Sequence, residues 1–165
     1  MTDWTSRPAD LDEYGRWTWD LFGLEYESLR PQFERSAESM QRQFTDSPLW
    51  SGIQGRLTAL ADAYYVRTGY LLGLSEQPPI RRKDWDTFWL KTFRRNVIEN
   101  KRWPQPPRSG WLLPPKWFVQ IGDVVRTRFV VRYLDAVIAT AAEIERAARD
   151  AGYGAQTTLQ ATPEG

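Results

Sequence analysis

The sequence predicts an α+β domain in which helices come first and a strand, a helix and a second strand follow. Three features carry that expectation. Apolar residues recur at steps of three and four through the first hundred positions. The run VVRTRFVV at 124–131 is β-branched and alternates. After it, a further helical stripe leads into the weakly alternating GAQTTLQA at 154–161.

Tyr26, Leu29, Phe33, Ala37, Met40 and Phe44 share the helical period, and Pro31 suits a first helical turn, so a helix or helix pair is expected over 11–44. Thr45-Asp46-Ser47-Pro48 marks a turn. Ile53, Leu57, Leu60, Tyr64 and Leu71 then keep the period up to Gly73, the expected C-terminal cap, before Gln77-Pro78-Pro79 interrupts the chain. Asp84 is placed to cap a third segment in which Trp85, Phe88, Trp89, Phe93 and Val97 lie on one side and Arg94 and Arg95 project elsewhere.

Five prolines between Trp103 and Pro115 forbid regular helix there. In the predicted strand, Val125, Thr127, Phe129 and Val131 share one face, and Val124, Arg126, Arg128 and Val130 the other. Leu134, Val137, Ile138, Ala141, Ile144, Ala148 and Ala151 form the last helical stripe, stopping at Gly152. Two strands do not make a stable sheet. The turn signal Thr162-Pro163-Glu164-Gly165 stands where a hairpin partner would begin, so the expected sheet is incomplete at the C-terminus and is finished by another chain or by further sequence. The corresponding division is a helical region at 1–100 and the first part of a core at 101–165.

Composition narrows the chemistry. The 165 residues contain neither histidine nor cysteine, which removes disulfides, thiol nucleophiles, histidine-based triads and histidine-metal hydrolysis. Carboxylates, basic groups and hydroxyls remain, and any metal would be a hard, oxygen-liganded ion. The start has no basic region followed by an apolar run, and no stretch reads as membrane-spanning, so a reducing cytoplasm is the expected compartment and no membrane partner is expected.

The net charge of +1 conceals a strong asymmetry. Positions 1–50 carry five basic and ten acidic side chains. Positions 81–132 carry thirteen basic and four acidic ones, a local excess of +9. A basic middle in a near-neutral chain points to a local anionic ligand, or else to a solvated helix face.

Asp123 stands at the entry to the predicted strand, with Arg126 and Arg128 following it. A carboxylate that anchors magnesium and guanidiniums that neutralise phosphate form the combination a magnesium-nucleotide site requires. An ion pair ending the strand accounts for the same residues, and strict alternation puts Asp123 on the face opposite both arginines.

The stretch KWFVQIGDVVRTRFVVRYLDAV, Lys116 to Val137, resembles the core of the RelA/SpoT nucleotide pyrophosphokinase domain, with Phe118, Ile121, Asp123, Arg128 and Asp135 matching its pattern. The resemblance covers about 116–165. It implies a nucleotidyltransferase-like mixed sheet and transfer of pyrophosphate from ATP to the ribose 3′-hydroxyl of GDP or GTP, with Mg²⁺ as cofactor. Asp123 would be a catalytic residue and the magnesium ligand, and Arg128 the second catalytic residue. The family carries R-x-K followed by S-I-x-x-K upstream of the aspartate. Here the preceding stretch reads NKRWPQPPRSGWLLPPK, so Lys101, Arg102, Arg108 and Lys116, with Arg126, are the candidate phosphate-binding residues.

The family's guanine-stacking tyrosine and its E-x-Q acid would lie past residue 165, so little activity is expected of this chain by itself. The absence of histidine points to the small, synthetase-only group, which includes toxins, some of them acting on the 3′ end of tRNA. Partners implied are therefore ATP and GDP or GTP, tRNA in the toxin case, and an antitoxin or a second copy. The rival reading is a nucleic-acid or nucleotide-binding module built on the basic, tryptophan-rich region. Trp103, Trp111 and Trp117 interleave with Arg102, Arg108 and Lys116 and suit either base stacking or packing of the proline-rich segment, whereas Trp85 and Trp89 read as core.

Overall fold

A computed structural model describes residues 5–73 and 78–158. It is mostly helical, with one two-stranded antiparallel sheet among the described residues. The chain divides into two compact units. The first joins residues 1–41 to 81–126, and the second joins 42–80 to 127–165.

In the first unit, α1 (Leu11–Phe22) begins at Asp10, whose carboxylate accepts from the Glu13 amide, and ends at Gly23 in the left-handed region. Helix α2 (Tyr26–Thr45) follows, with Pro31 in its second turn, so the expected helix pair is present. Strand β1 (Arg81–Arg82) leads to α4 (Trp85–Phe93), which continues through a π-helical turn at Arg94–Ile98. Asp84 caps α4 as expected, accepting from the Thr87 amide. The core is a cluster of aromatic rings. Tyr14 and Trp17 of α1 and Phe33 of α2 meet Trp85, Phe88, Trp89 and Phe93 of α4, and Trp117, Ile121 and Val124 complete it. Trp85 alone lies against Tyr26, Phe33, Phe88, Trp89 and Trp117.

The proline-rich segment has no helix until a short 3₁₀ turn at Pro114–Lys116 and the single-turn α5 (Trp117–Gln120). It is held by Asn96, a buried side chain that donates to Leu112 O at 3.2 Å and accepts from Leu112 N at 2.8 Å. Trp117 is buried, while Trp103 and Trp111 pack on the same cluster. Packing therefore accounts for these rings.

In the second unit, α3 (Pro48–Thr68) is capped by Ser47, whose hydroxyl accepts from the Trp50 amide, and it packs on α6 (Leu134–Asp150). Trp50, Ile53, Leu57 and Ala147 form one cluster; Tyr64, Leu72 and Ala136 form another. Helix α3 ends four residues before the expected cap. Gly69, not Gly73, takes the left-handed conformation that closes it and donates to Tyr65 O at 2.7 Å. Gly73 is also left-handed, but it belongs to the loop that follows.

The predicted strand is the main difference. Only β2 (Val125–Arg126) forms a ladder, pairing with β1 so that Arg81 faces Arg126 and Arg82 faces Val125. The alternation persists as exposure: Val125, Thr127, Phe129 and Val131 are half-buried, and Arg126, Arg128 and Val130 are exposed. Val124 departs from it, fully buried in the aromatic cluster. Alternation specifies a half-buried extended segment but does not supply a neighbour for its amides, and past Arg126 no strand among the described residues pairs with it. The second expected strand is coil over 154–158, and its remainder, 159–161, lies outside the described residues. Among the described residues no helix is long and apolar enough to cross a membrane.

Candidate functional site

The first unit carries a cleft of about 380 Å³ at the side of α4, lined by Lys83, Thr87, Lys91, Arg94, Arg95, Glu99 and Asp123. Helical spacing builds its wall. Thr87, Lys91 and Arg94 fall at steps of four and three, so they stand on one face of α4 and its continuation. Lys83 enters from the strand end. Its amide donates to Val124 O at 2.8 Å, extending the β1–β2 ladder and fixing Lys83 beside the chain that carries Asp123.

Ile121 and Val124, both fully buried, anchor that chain on either side of Asp123. The Asp123 carboxylate is bracketed. Lys83 Nζ donates to Oδ2 at 2.8 Å, and Lys91 Nζ donates to Oδ1 at 2.6 Å. Partial burial pushes the Asp123 carboxyl upward, but the hydrogen bonds and charges of the two lysines outweigh it and bring the pKa down to about 2. The two partners differ in exposure: the Lys83 side chain is 8% exposed and that of Asp123 is 44%. At the rim, Arg94 pairs with Glu99 at 3.1 Å, and Arg95 donates to Gln120 O at 2.8 Å.

Four cations against two carboxylates leave the cleft with an excess of positive charge, which suits a phosphate-bearing anion. For a metal, the donor set is small. Among the described residues no group of three or more acidic side chains is arranged to hold a metal ion. Magnesium is commonly held by one or two carboxylates together with substrate phosphates and water. A single, nearly half-exposed carboxylate therefore fits an ion that arrives with a nucleotide, and it does not fit a resident ion.

Of the catalytic and phosphate-binding candidates expected from the sequence, Asp123 lines this cleft and the others do not. Lys101, Arg102, Arg108 and Lys116 are exposed on the proline-rich segment, where Arg102 reaches Gln105 Oε1 at 3.3 Å. Arg126 is exposed on β2 opposite Arg81 and is not among the residues that line the cleft. Arg128 is exposed and belongs to the second unit, as does Asp135, which accepts from the Tyr64 hydroxyl at 3.2 Å.

Lys83 and Lys91 were missed by sequence reasoning, although a signal for them exists. Arg81-Arg82-Lys83 has the form R-x-K, and Thr87-Phe88-Trp89-Leu90-Lys91 has a hydroxyl, an apolar residue, two further positions and a lysine. Both signals lie upstream of the proline-rich stretch that immediately precedes Asp123. The long excursion through the proline-rich segment moves these lysines far upstream in sequence while the fold returns them to the aspartate.

No family model, curated protein or solved structure matches this chain.

Proposed function

We propose that the chain carries the magnesium-ATP site of a RelA/SpoT-type nucleotide pyrophosphokinase with a nucleotidyltransferase-like core. The observation that carries this reading is the Asp123 carboxylate held between Lys83 and Lys91 in a cationic cleft. The R-x-K and hydroxyl-apolar-x-x-Lys order at 81–91 supports it, since that is the order the resemblance calls for upstream of the aspartate.

On this reading the lysines hold Asp123 in place until a triphosphate enters, then turn their ammonium groups to its β- and γ-phosphate oxygens. Asp123, once released, would hold a magnesium ion, which would supply charge neutralisation on the phosphates. Arg94 and Arg95 extend the positive wall along the cleft. The acceptor's 3′-oxygen attacks the β-phosphorus, its bond to the α-bridging oxygen breaks, and AMP departs. Such a reaction depends on positioning and charge neutralisation more than on a covalent protein intermediate, so a chain without histidine or cysteine is equipped for it.

One observation favours a polyanionic acceptor such as tRNA over a free guanine nucleotide. Arg81, Arg82 and Arg126 stand exposed on the β1–β2 ribbon, and Arg81 faces Arg126 directly across it. Like charges in that register are unfavourable unless an anion neutralises them.

The test is calorimetric titration with magnesium-ATP, run beside transfer of label from γ-labelled ATP to GDP, GTP or tRNA. Lys83→Met and Lys91→Met are each expected to weaken ATP binding by about tenfold or more, the value of one charge-assisted hydrogen bond. Absence of ATP binding, or binding unchanged in both variants, overturns the proposal. The labelled acceptor separates the guanine-nucleotide and tRNA readings.

A further inference from the structure

We infer that a second groove of the first unit, on the outer face of α1, is a docking site for an arginine side chain on an extended basic segment of a partner protein. The groove has a volume of about 810 Å³ and is bounded by α1, the start of α2 and the first turns of α4. It shares no residue with the Asp123 cleft, and the inference does not rest on the pyrophosphokinase reading.

Three features define its ligand. The first is aromatic. Trp89 and Tyr26 line the groove from inside, and Trp19 stands over it at 57% exposure, the one exposed tryptophan among the described residues. The other tryptophans described are buried or half-buried, so among the described residues this ring alone is kept in water.

The second is a missing side chain. Gly15 sits in the interior of α1, one turn before Trp19, and a Cβ there would meet nothing within 4 Å. Close packing does not demand the glycine, and helix propensity opposes it. What it provides is a bare floor between Leu11 and Trp19, open to a flat group.

The third is charge. Asp12, Glu25 and Asp86 line the groove against Arg16, leaving it negative. The Tyr26 hydroxyl bonds to Asp86, which fixes that ring. Neither Asp12 nor Glu25 has a side-chain ion pair among the described residues.

A planar cation is attracted to the face of an indole and can fork to carboxylates at the same time, and guanidinium does both better than ammonium. A nucleotide would find the aromatic faces, but its phosphate would meet three carboxylates and one arginine. Charge complementarity therefore selects a basic peptide over a nucleic acid.

The full chain would be titrated with the peptide acetyl-Gly-Arg-Gly-Arg-Gly-amide, with the same peptide carrying glutamate in place of arginine, and with AMP. Heat and tryptophan fluorescence would both be followed. The arginine peptide is expected to bind saturably and to weaken with added salt, and Trp19→Ala should weaken it about tenfold. Gly15→Leu should weaken it comparably, because the added side chain fills the floor. That change favours helix, and an unaltered far-UV circular dichroism spectrum together with a thermal midpoint no lower than wild type would show that the fold is intact. No saturation up to about 5 mM peptide, affinity unaltered in both variants, or AMP binding more tightly than the arginine peptide would each overturn the inference.

Discussion

Lys83 and Asp123 stand 40 positions apart in the chain and meet with Nζ 2.8 Å from Oδ2. The lysine is nearly enclosed and the aspartate is not. That asymmetry makes the pair a directional device. The Asp123 carboxylate is open to solvent and to an incoming ligand, whereas the Lys83 side chain is nearly enclosed beside the carboxylate it pairs with.

The asymmetry predicts unequal costs for breaking the pair. Asp123→Asn strands a buried ammonium and is expected to lower stability by about 1–3 kcal/mol. Lys83→Met keeps the apolar stem and leaves a carboxylate that water and Lys91 still satisfy, at a cost of about 1 kcal/mol or less. Urea unfolding of the two variants checks the order; equal losses, or the reverse order, would contradict the exposure argument.

The Asp123 carboxyl titrates at about 2 in the folded chain, below its unfolded value near 3.9. A depressed carboxyl stabilises the fold above its unfolded pKa and loses that contribution as pH falls through the folded one. The loss should therefore fall between about pH 4 and pH 2, and solvent screening of the exposed carboxylate limits it to about 1 kcal/mol. Asp84, lowered by its hydrogen bonds from Thr87, contributes in the same direction as the pH falls below the ordinary carboxylate range. With no histidine in the chain, stability should be nearly level from about pH 5.5 to 7. Thermal midpoints across pH 2–8, compared between wild type and Asp123→Asn, test both statements.

Asn96 is the polar tie between the α4 continuation and the proline-rich segment. Its amide also donates to the Tyr14 hydroxyl at 2.8 Å, and that hydroxyl lies 3.2 Å from Thr92 Oγ1. Asn96→Ala orphans the buried Leu112 amide and opens the aromatic core, for an expected loss of about 2–4 kcal/mol. Tyr14→Phe removes one hydroxyl and should cost about 1 kcal/mol. Denaturant midpoints measure both, and a near-neutral Asn96→Ala would mean that the segment is held by its tryptophan packing and its other hydrogen bonds, such as that from Asn100 Nδ2 to Gln105 O.

Asp84→Ala removes the cap of the helix that presents Lys91 and is expected to cost about 1 kcal/mol. If the cap also sets the lysine geometry, phosphate-ligand affinity should fall together with stability. Retained affinity in a destabilised variant would separate the two.

Much of the helical framework was legible because its signals are local. Asp84 reads as a cap from its own neighbours, and the period of Trp85, Phe88, Trp89, Phe93 and Val97 identifies a buried face without reference to any other element. The strand was only half legible. Alternation correctly ordered exposure from Val125 to Val131, but pairing needs a second chain segment, and that segment is Arg81–Arg82 for two residues only. Within the site, Asp123 was visible as a carboxylate in a basic region. Its partners were not, because sequence distance was used where spatial distance decides.

By itself, the sequence determined the buried helix faces, the Asp84 cap, the basic middle and the restriction to carboxylate, basic-group and hydroxyl chemistry, all properties of composition or of residues a few positions apart. Only the tertiary structure decided which cations stand at Asp123. A strand end and a helix wall converge there after an excursion through the proline-rich segment, and the energy of that meeting resides in contacts no local pattern encodes.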